Sequence, residues 1–547
     1  MKLSKMTFFL IFFLTFFSIA VFSQNVEKLP RLKLMGRYDS NTGFAEGGAE
    51  IVTYNIANGK MYIANGAEEA IDVVSLGQFK DFALKLEKRI YVDEFFNAEF
   101  IPDGITSVCV SPDGEYVAIA IPNSEISGKG KLLITDASGQ YICDFDTGFL
   151  PDMVTFTLDG NYILVANEGE PNDNYDYDPI GSVTIVELKE GLGNAVISEI
   201  EFGNSEITGD VRVFGPGSSS AEDFEPEYIS VTSDSKFAFV SLQENNAIAC
   251  VDIERKSLKK IYGLGIKDHS IKGNELDISD KDKKVNIKNW PVLGMYLPDG
   301  IAVYEYEGDV YVLTANEGDS RDYDGFSEET RVEKITDKIR LNAENYTGYS
   351  QEELDDLVSE GLFDKENMGR LKITTVNGYE DGVYEALYSY GARSFSIWKI
   401  KEDSIELTFD SGSDFENIIA QRYPDLFNCS NGDNKFDSRS DDKGPEPEDV
   451  KVGIVDGSAF AFIGLERFGG VMVYNITEPA ESRFVDYINS RDFNVVLDDL
   501  EEGSNVYTGD IAPEGMCFIN AENSPLKIPI LLVANEVSGT VSVYSFE

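Results

Sequence analysis

The chain has 547 residues, and 97 acidic against 46 basic residues give it a formal net charge of −51 at pH 7. This charge argues against a nucleic-acid partner, because affinity for nucleic acids comes largely from cationic contacts to phosphate. It favours divalent cations as partners, although an acidic surface also serves simply to keep an exported protein in solution.

Residues 1–23 have the pattern of a secretory signal peptide. Lys2 and Lys5 precede an apolar run over residues 6–22, and the residues before Gln24 suit cleavage. The alternative is a membrane anchor, although this apolar run is at the short limit for a spanning helix. We therefore expect a secreted protein, periplasmic or extracellular, with no membrane span after signal cleavage and with residues 24–547 forming a single domain.

Seven internal repeats predict the architecture. Each repeat has a similar opening, followed by a short strand, a turn and a second strand, with turn pairs such as Asn58-Gly59 and Asp113-Gly114 that hairpins favour. The openings begin at Gly48, Ile101, Leu150, Glu225, Leu297, Glu446 and Ala512. Repeats of three or four strands rich in β-branched and aromatic residues are typical of propellers. The sequence thus predicts an all-β fold, a seven-bladed β-propeller.

The two ends of the chain predict how the ring closes. The last repeat stops after its third strand, Thr540–Phe546, and lacks an outer strand. We expect Arg31–Tyr38 to supply it, because pairing the N-terminal strand with the last blade removes an exposed sheet edge. An open sandwich is the structural alternative.

The fifth blade is interrupted by a polar insertion at about residues 326–390. Within it, Ser350–Gly361 has a helical pattern, in which Ser350 and Glu353 form a capping box. A second long loop, Ser413–Gly444, follows the same blade. Long loops on a rigid ring often border a functional face, and tolerated surface elaboration is the alternative.

The repeat openings place a carboxylate at an equivalent position in all seven repeats. These residues are Glu50, Asp103, Asp152, Glu227, Asp299, Glu448 and Glu514. If the first strand of each blade is innermost, these acids surround one mouth of a central channel. The loops between second and third strands add Glu168, Glu317, Glu466 and Glu536 to the same rim.

Carboxylates gathered in this way repel one another, and a hard cation resolves the conflict. Ligands that are all oxygen suit calcium, which takes about 6–8 oxygen atoms. The predicted metal ligands are Asp152, Glu168, Glu170, Asp299, Glu317, Asp319, Glu448, Glu466 and Glu514. The alternative is that the Pro-Asp and Pro-Glu openings only form turns and cap backbone groups.

A doubled motif adds a resemblance to a known family. Asn167-Glu168-Gly169-Glu170 is repeated as Asn316-Glu317-Gly318-Asp319, and the chain also contains Gly444-Pro445-Glu446-Pro447-Glu448 and Pro513-Glu514-Gly515. Together these motifs resemble the choice-of-anchor I family of secreted bacterial propellers. That family is similar to mesenchyme-specific cell-surface glycoproteins, and its members often carry an alkaline-phosphatase label.

Two functions of different classes follow. A histidine-bearing zinc site or a Ser-His-Asp triad is disfavoured, because His269 is the single histidine. The first function is a calcium-binding recognition or scaffold module whose partner is mineral, polysaccharide or a surface protein. The second is a calcium-dependent phosphoesterase acting on phosphate esters, with Arg321 and Arg467 as candidate phosphate ligands and no catalytic residue assigned. The ordinary role of these arginines would be salt bridges.

Overall fold

The computed structural model describes residues 30–77, 82–203 and 206–547, so the predicted signal peptide lies outside the described residues. Within these residues the fold is all-β, and seven of its sheets have four or five strands. We number them sheets 1 to 7 in the order of their innermost strands. The first strand of the chain, β1 (Leu32–Asp39), belongs to sheet 7.

Sheets 1 to 3 are four-stranded meanders in which consecutive strands pair antiparallel. Sheet 1 consists of β2 (Val52–Asn55), β3 (Lys60–Asn65), β4 (Ala70–Ser75) and β5 (Leu86–Tyr91). Sheet 2 consists of β6 (Ser107–Val110), β7 (Tyr116–Ile121), β8 (Lys129–Asp136) and β9 (Tyr141–Phe149). Sheet 3 consists of β10 (Pro151–Phe156), β11 (Tyr162–Asn167), β12 (Ser182–Glu187) and β13 (Val196–Glu201).

Sheet 4 has a fifth strand, β14, which pairs parallel with β18 at its outer edge. The strands and helix of this region are β14 (Ile207–Thr208), α1 (Ser220–Asp223), β15 (Pro226–Val231), β16 (Phe237–Leu242), β17 (Ala247–Asp252), β18 (Ser257–Gly263), β19 (Ile266–Asp268) and β20 (Leu293–Met295). The last two lie outside sheet 4 and pair with each other.

Sheet 5 is formed by β21 (Ile301–Tyr306), β22 (Asp309–Ala315), β28 (Phe395–Ile400) and β29 (Ile405–Asp410), so residues 316–394 interrupt it. The interrupting segment contains β23 (Glu329–Arg331), α2 (Gln351–Ser359), β24 (Lys372–Thr374), β25 (Tyr379–Glu380), β26 (Val383–Tyr384) and β27 (Tyr388–Ser389). Helix α2 begins with the Ser350–Glu353 capping box. The loop after β29 contains α3 (Asp414–Arg422), a helix that was not predicted from the sequence.

Sheets 6 and 7 complete the chain. Sheet 6 consists of β30 (Pro447–Val455), β31 (Ser458–Leu465), β32 (Val471–Asn475) and β33 (Arg483–Ile488). Sheet 7 consists of β34 (Pro513–Ile519), β35 (Ile530–Asn535), β36 (Thr540–Phe546) and the N-terminal strand β1. Short 3₁₀ helices in the described residues are Gly66–Glu68, Asp93–Phe95, Leu192–Asn194, Val332–Lys334, Thr336–Lys338, Ala343–Asn345, Pro479–Glu481 and Leu497–Asp499.

The innermost strands of the seven sheets form a closed ring. In order these strands are β2, β6, β10, β15, β21, β30 and β34, and each contacts the innermost strand of the next sheet. Strand β34 in turn contacts β2. The core lies between neighbouring sheets, as where Ile134 of sheet 2 and Ile163 of sheet 3 share one buried cluster. This explains why central strands such as β11 are buried along their whole length.

The N-terminal strand joins the last sheet, as the sequence predicted. Strand β1 runs antiparallel to β36, with Leu32 opposite Phe546 and Asp39 opposite Thr540. The Arg37 guanidinium donates two hydrogen bonds to Asp510, of 2.5 and 2.6 Å. The pairing covers the edge of β36 and links the two ends of the described chain.

Candidate functional site

An acidic cavity of about 520 Å³ lies at one mouth of the ring, and residues in or beside all seven innermost strands line it. Its lining carboxylates are Glu50, Asp103, Asp152, Asp299, Glu317, Glu448, Asp449, Glu466, Glu514 and Glu536. Arg467 is the basic side chain among the lining residues. Further along the axis the wall becomes largely apolar, with Val52, Val108 and Val154. The channel is therefore strongly acidic at one end.

The local backbone of the repeat openings is unusual. The residue two positions before the acid has a positive φ in four repeats, as in Leu297 (43°) before Asp299 and Glu446 (52°) before Glu448. Leu150 and Ala512 precede Asp152 and Glu514 in the same conformation, with φ of 45° and 62°. This conformation is uncommon for residues other than glycine and costs about 1–3 kcal/mol. Four of the seven repeats thus have a strained turn just before a carboxylate that lines the cavity.

Three of these carboxylates form the tightest group. Ligand oxygens of Asp299, Glu317 and Glu448 all lie within 4.8 Å of one another. Glu317 and Glu448 are each only 8% exposed, and Glu448 Oε2 is buried without a hydrogen-bond partner. We call this group the channel triad. Because a buried carboxylate oxygen without a partner is costly, the triad is suited to a cation that coordinates oxygen.

The electrostatics of the cavity favour protons or cations. Burial and neighbouring carboxylates raise the pKa values of Asp152 and Asp299 to about 7. The same two causes raise the pKa values of Glu50 and Glu466 to about 8, although Arg467 opposes the shift at Glu466. For Glu448, burial and then Glu317 are the largest causes of a pKa well above the usual range. At neutral pH these groups are therefore partly or largely protonated unless a cation replaces the protons.

A second group of carboxylates is paired with basic side chains. Ligand oxygens of Glu317, Glu446 and Glu466 also lie within 4.8 Å of one another. However, Lys443 Nζ lies 2.8 Å from Glu317 Oε1 and 3.1 Å from Glu446 Oε2, and Arg467 Nε lies 3.1 Å from Glu446 Oε2. Burial would raise the pKa of Glu446, but Lys443, Arg439 and Arg467 lower it to about 2. This second group is a salt-bridge network.

The structure brings together six of the nine predicted metal ligands in the acidic cavity. They are Asp152, Asp299, Glu317, Glu448, Glu466 and Glu514. The other three do not line it. Glu170 Oε1 accepts a hydrogen bond of 3.1 Å from the Tyr323 hydroxyl, and Asp319 is about half exposed, 3.4 Å from Lys443 Nζ. Burial and then Glu170 and Asp152 raise the pKa of Glu168 well above its usual range.

The two predicted phosphate ligands have different surroundings. Arg321 is 1% exposed and lies 2.6 Å from Asp223 and 2.8 Å from Glu225, away from the cavity lining. Its contacts match the salt-bridge alternative. Arg467 does line the cavity, and its guanidinium contacts Glu446 and Glu466, each at 3.1 Å. Part of the Arg467 side chain is exposed at the mouth.

Several residues at the site were not predicted. Glu446 lies in the Gly444–Glu448 motif, of which only Glu448 was a predicted metal ligand. Lys443 precedes that motif and supplies the buried cation. Gln243 Nε2 donates a 2.8 Å hydrogen bond to Glu317 Oε2. The signal for Lys443 was its place directly before the motif, since a lysine beside a buried glutamate is a natural ion-pair partner.

The raised pKa values predict how stability depends on pH. In a chelator at high salt, we expect the melting temperature to fall as the pH rises from about 5 to about 8. Glutamates and aspartates have pKa values near 4 in unfolded chains, so between that value and about 7–8 the folded state binds more protons than the unfolded state, and its stability falls as the pH rises. High salt screens exposed charges more than buried ones. A melting temperature that is constant over this range would contradict the prediction.

The comparisons with known proteins decide the family. The sequence profile of the choice-of-anchor I domain matches residues 50–479, which is most of the chain and includes the channel triad. The chain belongs to the choice-of-anchor I family. Domains of this family are typically extracellular or surface-associated. None of the helices in the described residues has the length and apolar character that crossing a membrane requires.

Two animal proteins are similar to this choice-of-anchor I chain. Gigasin-3a of Magallana gigas is 32% identical over 183 residues, which are 32% of this chain and 64% of that protein. The mesenchyme-specific cell surface glycoprotein of Strongylocentrotus purpuratus is 27% identical over 323 residues, 54% of this chain and 41% of that protein. The chain thus spans less than two thirds of each. Among solved structures, the Cps50 (Swd1) β-propeller domain of Myceliophteria thermophila has a TM-score of 0.42 at 6% identity, covering 94% of this chain and 99% of that one.

Proposed function

We propose that this choice-of-anchor I protein is a secreted calcium-binding β-propeller that acts as a recognition or scaffold module. The observation that carries the proposal is the channel triad, in which Asp299, Glu317 and Glu448 bring oxygens within 4.8 Å of one another. Glu448 Oε2 is buried there without a partner. A divalent cation compensates the repulsion of these carboxylates and provides a partner for that oxygen.

The proposal includes the domain organisation. Each of sheets 1 to 7 is taken as one blade, which gives a seven-bladed propeller within a single domain of residues 24–547. Residues 316–394, with α2, are an insertion in the fifth blade, slightly longer than the 326–390 expected from the sequence. The contacts that close the ring of innermost strands and the pairing of β1 with β36 support this organisation.

The number of available ligands favours a recognition role. The channel triad offers three carboxylates, but Glu317 Oε1 already accepts a hydrogen bond from Lys443 and Glu317 Oε2 accepts one from Gln243. Calcium takes about 6–8 oxygens, so a calcium ion in the triad would complete its coordination with water or with oxygens of a partner. Partners of suitable chemistry are a mineral surface, a polysaccharide or acidic groups on another surface protein. Because the triad lies at the channel mouth, such a partner has access to it.

Calcium should stabilise the folded protein through the channel triad. Calcium at about 100 times its dissociation constant adds about 2.7 kcal/mol to the free energy of unfolding, because only the folded state binds it. We expect the melting temperature to rise by a few degrees in calcium relative to a chelator. The Asp299→Asn/Glu448→Gln variant should lose this shift, and its melting temperature in chelator should not fall, because like-charge repulsion is removed.

A matched control removes two charges at residues that do not line the acidic cavity. Glu352→Gln/Asp356→Asn changes two exposed residues of α2 and should keep the full calcium shift. Equal loss of the shift in both variants would mean that calcium only screens the general negative charge. No shift in the native protein would remove the basis of the proposal.

The second candidate is a calcium-dependent phosphoesterase. The observation that favours it is Arg467, a partly exposed guanidinium in the same cavity as the channel triad. A bound cation and an arginine together suit a phosphate ester. Hydrolysis of a phosphomonoester by the purified protein that requires calcium and falls in Arg467→Gln would support this function. If the calcium-saturated protein has no hydrolytic activity, the phosphoesterase function is excluded and the recognition role remains.

A further inference from the structure

One charged side chain distinguishes the channel wall beyond the acidic cavity. We call the part of the channel that Val52, Val108 and Val154 line the apolar half. Among the described residues that line the apolar half, Lys451 of β30 alone carries a charge. Asp449, two residues earlier in the same strand, lines the acidic cavity. The two residues thus place opposite charges at the junction between the acidic cavity and the apolar half.

The sixth repeat differs from the other six at both of these positions. Three positions after the acid of its opening, the sixth repeat has Lys451, whereas the others have Thr53, Thr106, Thr155, Ser230, Ala302 and Cys517. One position after the acid, it has Asp449, whereas the others have Ile51, Gly104, Met153, Tyr228, Gly300 and Gly515. Because six repeats form their sheets with uncharged side chains here, the sheets themselves do not require the two charges.

A β-bulge allows Asp449 to face the cavity together with its neighbour Glu448. Successive side chains of a regular strand point to opposite faces, so two consecutive residues would not both face the channel. The pairing of β30 with β31 shifts register between Pro447 and Val450. Such a bulge redirects one side chain. Both carboxylates therefore line the acidic cavity, and Asp449 lies next to a member of the channel triad.

Asp449 and Lys451 are bound to each other and to a tyrosine at the junction. Lys451 Nζ donates a 2.6 Å hydrogen bond to Asp449 Oδ1 and another to the Tyr228 hydroxyl. It also lies 4.5 Å from the centre of the Tyr228 ring. Asp449 Oδ2 accepts the backbone N–H of Met516 at 2.9 Å. Both oxygens of Asp449 thus have donors, and Tyr228, which lines both parts of the channel, fixes the ammonium between them.

We propose that Lys451 confines bound cations to the acidic cavity. It would do so for the calcium ion of the proposed function, on which this role rests. The ammonium holds Asp449, so that this carboxylate is not a metal ligand, and its charge repels a cation that approaches the junction. The largely apolar wall beyond would take hydration from a cation without replacing it, which is costly.

The position of the ion matters for recognition. Calcium takes about 6–8 oxygens, and the channel triad supplies only part of them. A free Asp449 would add a carboxylate next to Glu448 and supply more of them from within the protein. Because Lys451 holds Asp449, those coordination sites remain open to water or to a partner at the mouth. Lys451 is thus a positioning residue that keeps the ion available for recognition.

Calorimetric titration of calcium tests this role with variants of Lys451. Lys451→Met frees Asp449 and removes the ammonium. It should bind calcium on the order of tenfold more tightly than the native protein, because the number of charged ligands sets calcium affinity over several decades. Lys451→Arg keeps the positive charge and should bind calcium no more tightly than the native protein.

The matched control is Lys399→Met, which removes a lysine with the same kinds of partner. Lys399 pairs with Asp309 and lies 5.8 Å from the centre of the Tyr311 ring, but it lines neither part of the channel. Its removal should leave calcium affinity unchanged. A tightening in Lys399→Met equal to that in Lys451→Met would mean that any lost positive charge has this effect, and would overturn the role of Lys451.

The outcomes separate this role from the proposed function. If the native protein binds calcium and Lys451→Met binds it equally or more weakly, Lys451 does not confine cations, while the proposed function stands. If neither protein binds calcium, both proposals fail. Binding by Lys451→Met alone would remove the proposed function and retain Lys451 as a barrier to cations.

A second measurement needs no variant and so does not depend on the folding of one. Terbium replaces calcium in crystals of the native protein and is located by its anomalous scattering. We expect terbium in the acidic cavity, with no ion bonded to Asp449 and none in the apolar half. An ion in either of those places would overturn the role of Lys451. Crystals without bound terbium would contradict the proposed function and, with it, this role.

Discussion

A truncation that removes residues 24–40 should leave most of the protein unfolded or aggregated at room temperature. The truncation removes β1, whose Leu32 and Tyr38 are buried against the last sheet. It also removes the Tyr38 hydroxyl that donates to Asp72 and the Arg37 guanidinium that binds Asp510. Removal of one large buried side chain costs about 2–5 kcal/mol, and whole domains are stable by only about 5–15 kcal/mol.

The control truncation removes only residues 24–30 and therefore keeps β1. It should have the melting temperature of the protein that begins at Gln24, because the pairing of β1 with β36 is retained. A synthetic peptide with the sequence of β1 should restore stability to the longer truncation by adding a strand to the exposed edge of β36. Equal melting temperatures for the two truncations would show that β1 does not close the ring.

Replacing Lys443 by methionine should destabilise the protein by about 3–5 kcal/mol, the usual cost of removing one partner from a buried ion pair. The side chain of Lys443 is 12% exposed, and its ammonium group contacts both Glu317 and Glu446. The variant leaves those carboxylates without that cation. Denaturant unfolding in chelator measures the loss.

The same variant should bind calcium more tightly, because Lys443 competes with the metal for Glu317. The matched control is Lys365→Met, which removes a lysine that is 61% exposed and pairs weakly with Glu366. The control should change stability by no more than about 1 kcal/mol, as expected for a surface pair. If Lys443→Met and Lys365→Met have equal effects on unfolding, the network around Glu446 is not a source of stability.

The sequence was informative where the chain repeats itself. The recurrent openings predicted which strands begin each sheet, and their shared register predicted that Asp152, Asp299, Glu448 and Glu514 would meet. The position of a residue within its repeat predicts its place in the ring. Because the innermost strands of the repeated sheets run in the same direction, equivalent residues lie at the same end of the ring. The pairing of β1 with β36 was predictable for a related reason, since the last repeat lacked one strand.

The sequence was less informative where the chain departs from the repeat. Lys443 and helix α3 lie in a loop whose path depends on tertiary contacts, such as the burial of Phe415 and Ile419 against sheets 5 and 6. Glu168 shares its motif with Glu317, yet only Glu317 lines the cavity. The two similar motifs have different surroundings, because Gln243 and Lys443 bind Glu317 whereas the charges that act most strongly on Glu168 are those of other carboxylates, Glu170 and Asp152.

Calorimetric titration of calcium in two buffers with different ionisation enthalpies tests the central claim most directly. The carboxylates of the channel triad have raised pKa values, so calcium that binds there must displace protons. We predict a binding step with proton release that is lost in Asp299→Asn/Glu448→Gln and kept in Glu352→Gln/Asp356→Asn. Absence of calcium binding, or an isotherm that is the same for native protein and the Asp299→Asn/Glu448→Gln variant, would contradict the assignment of a cation to the channel.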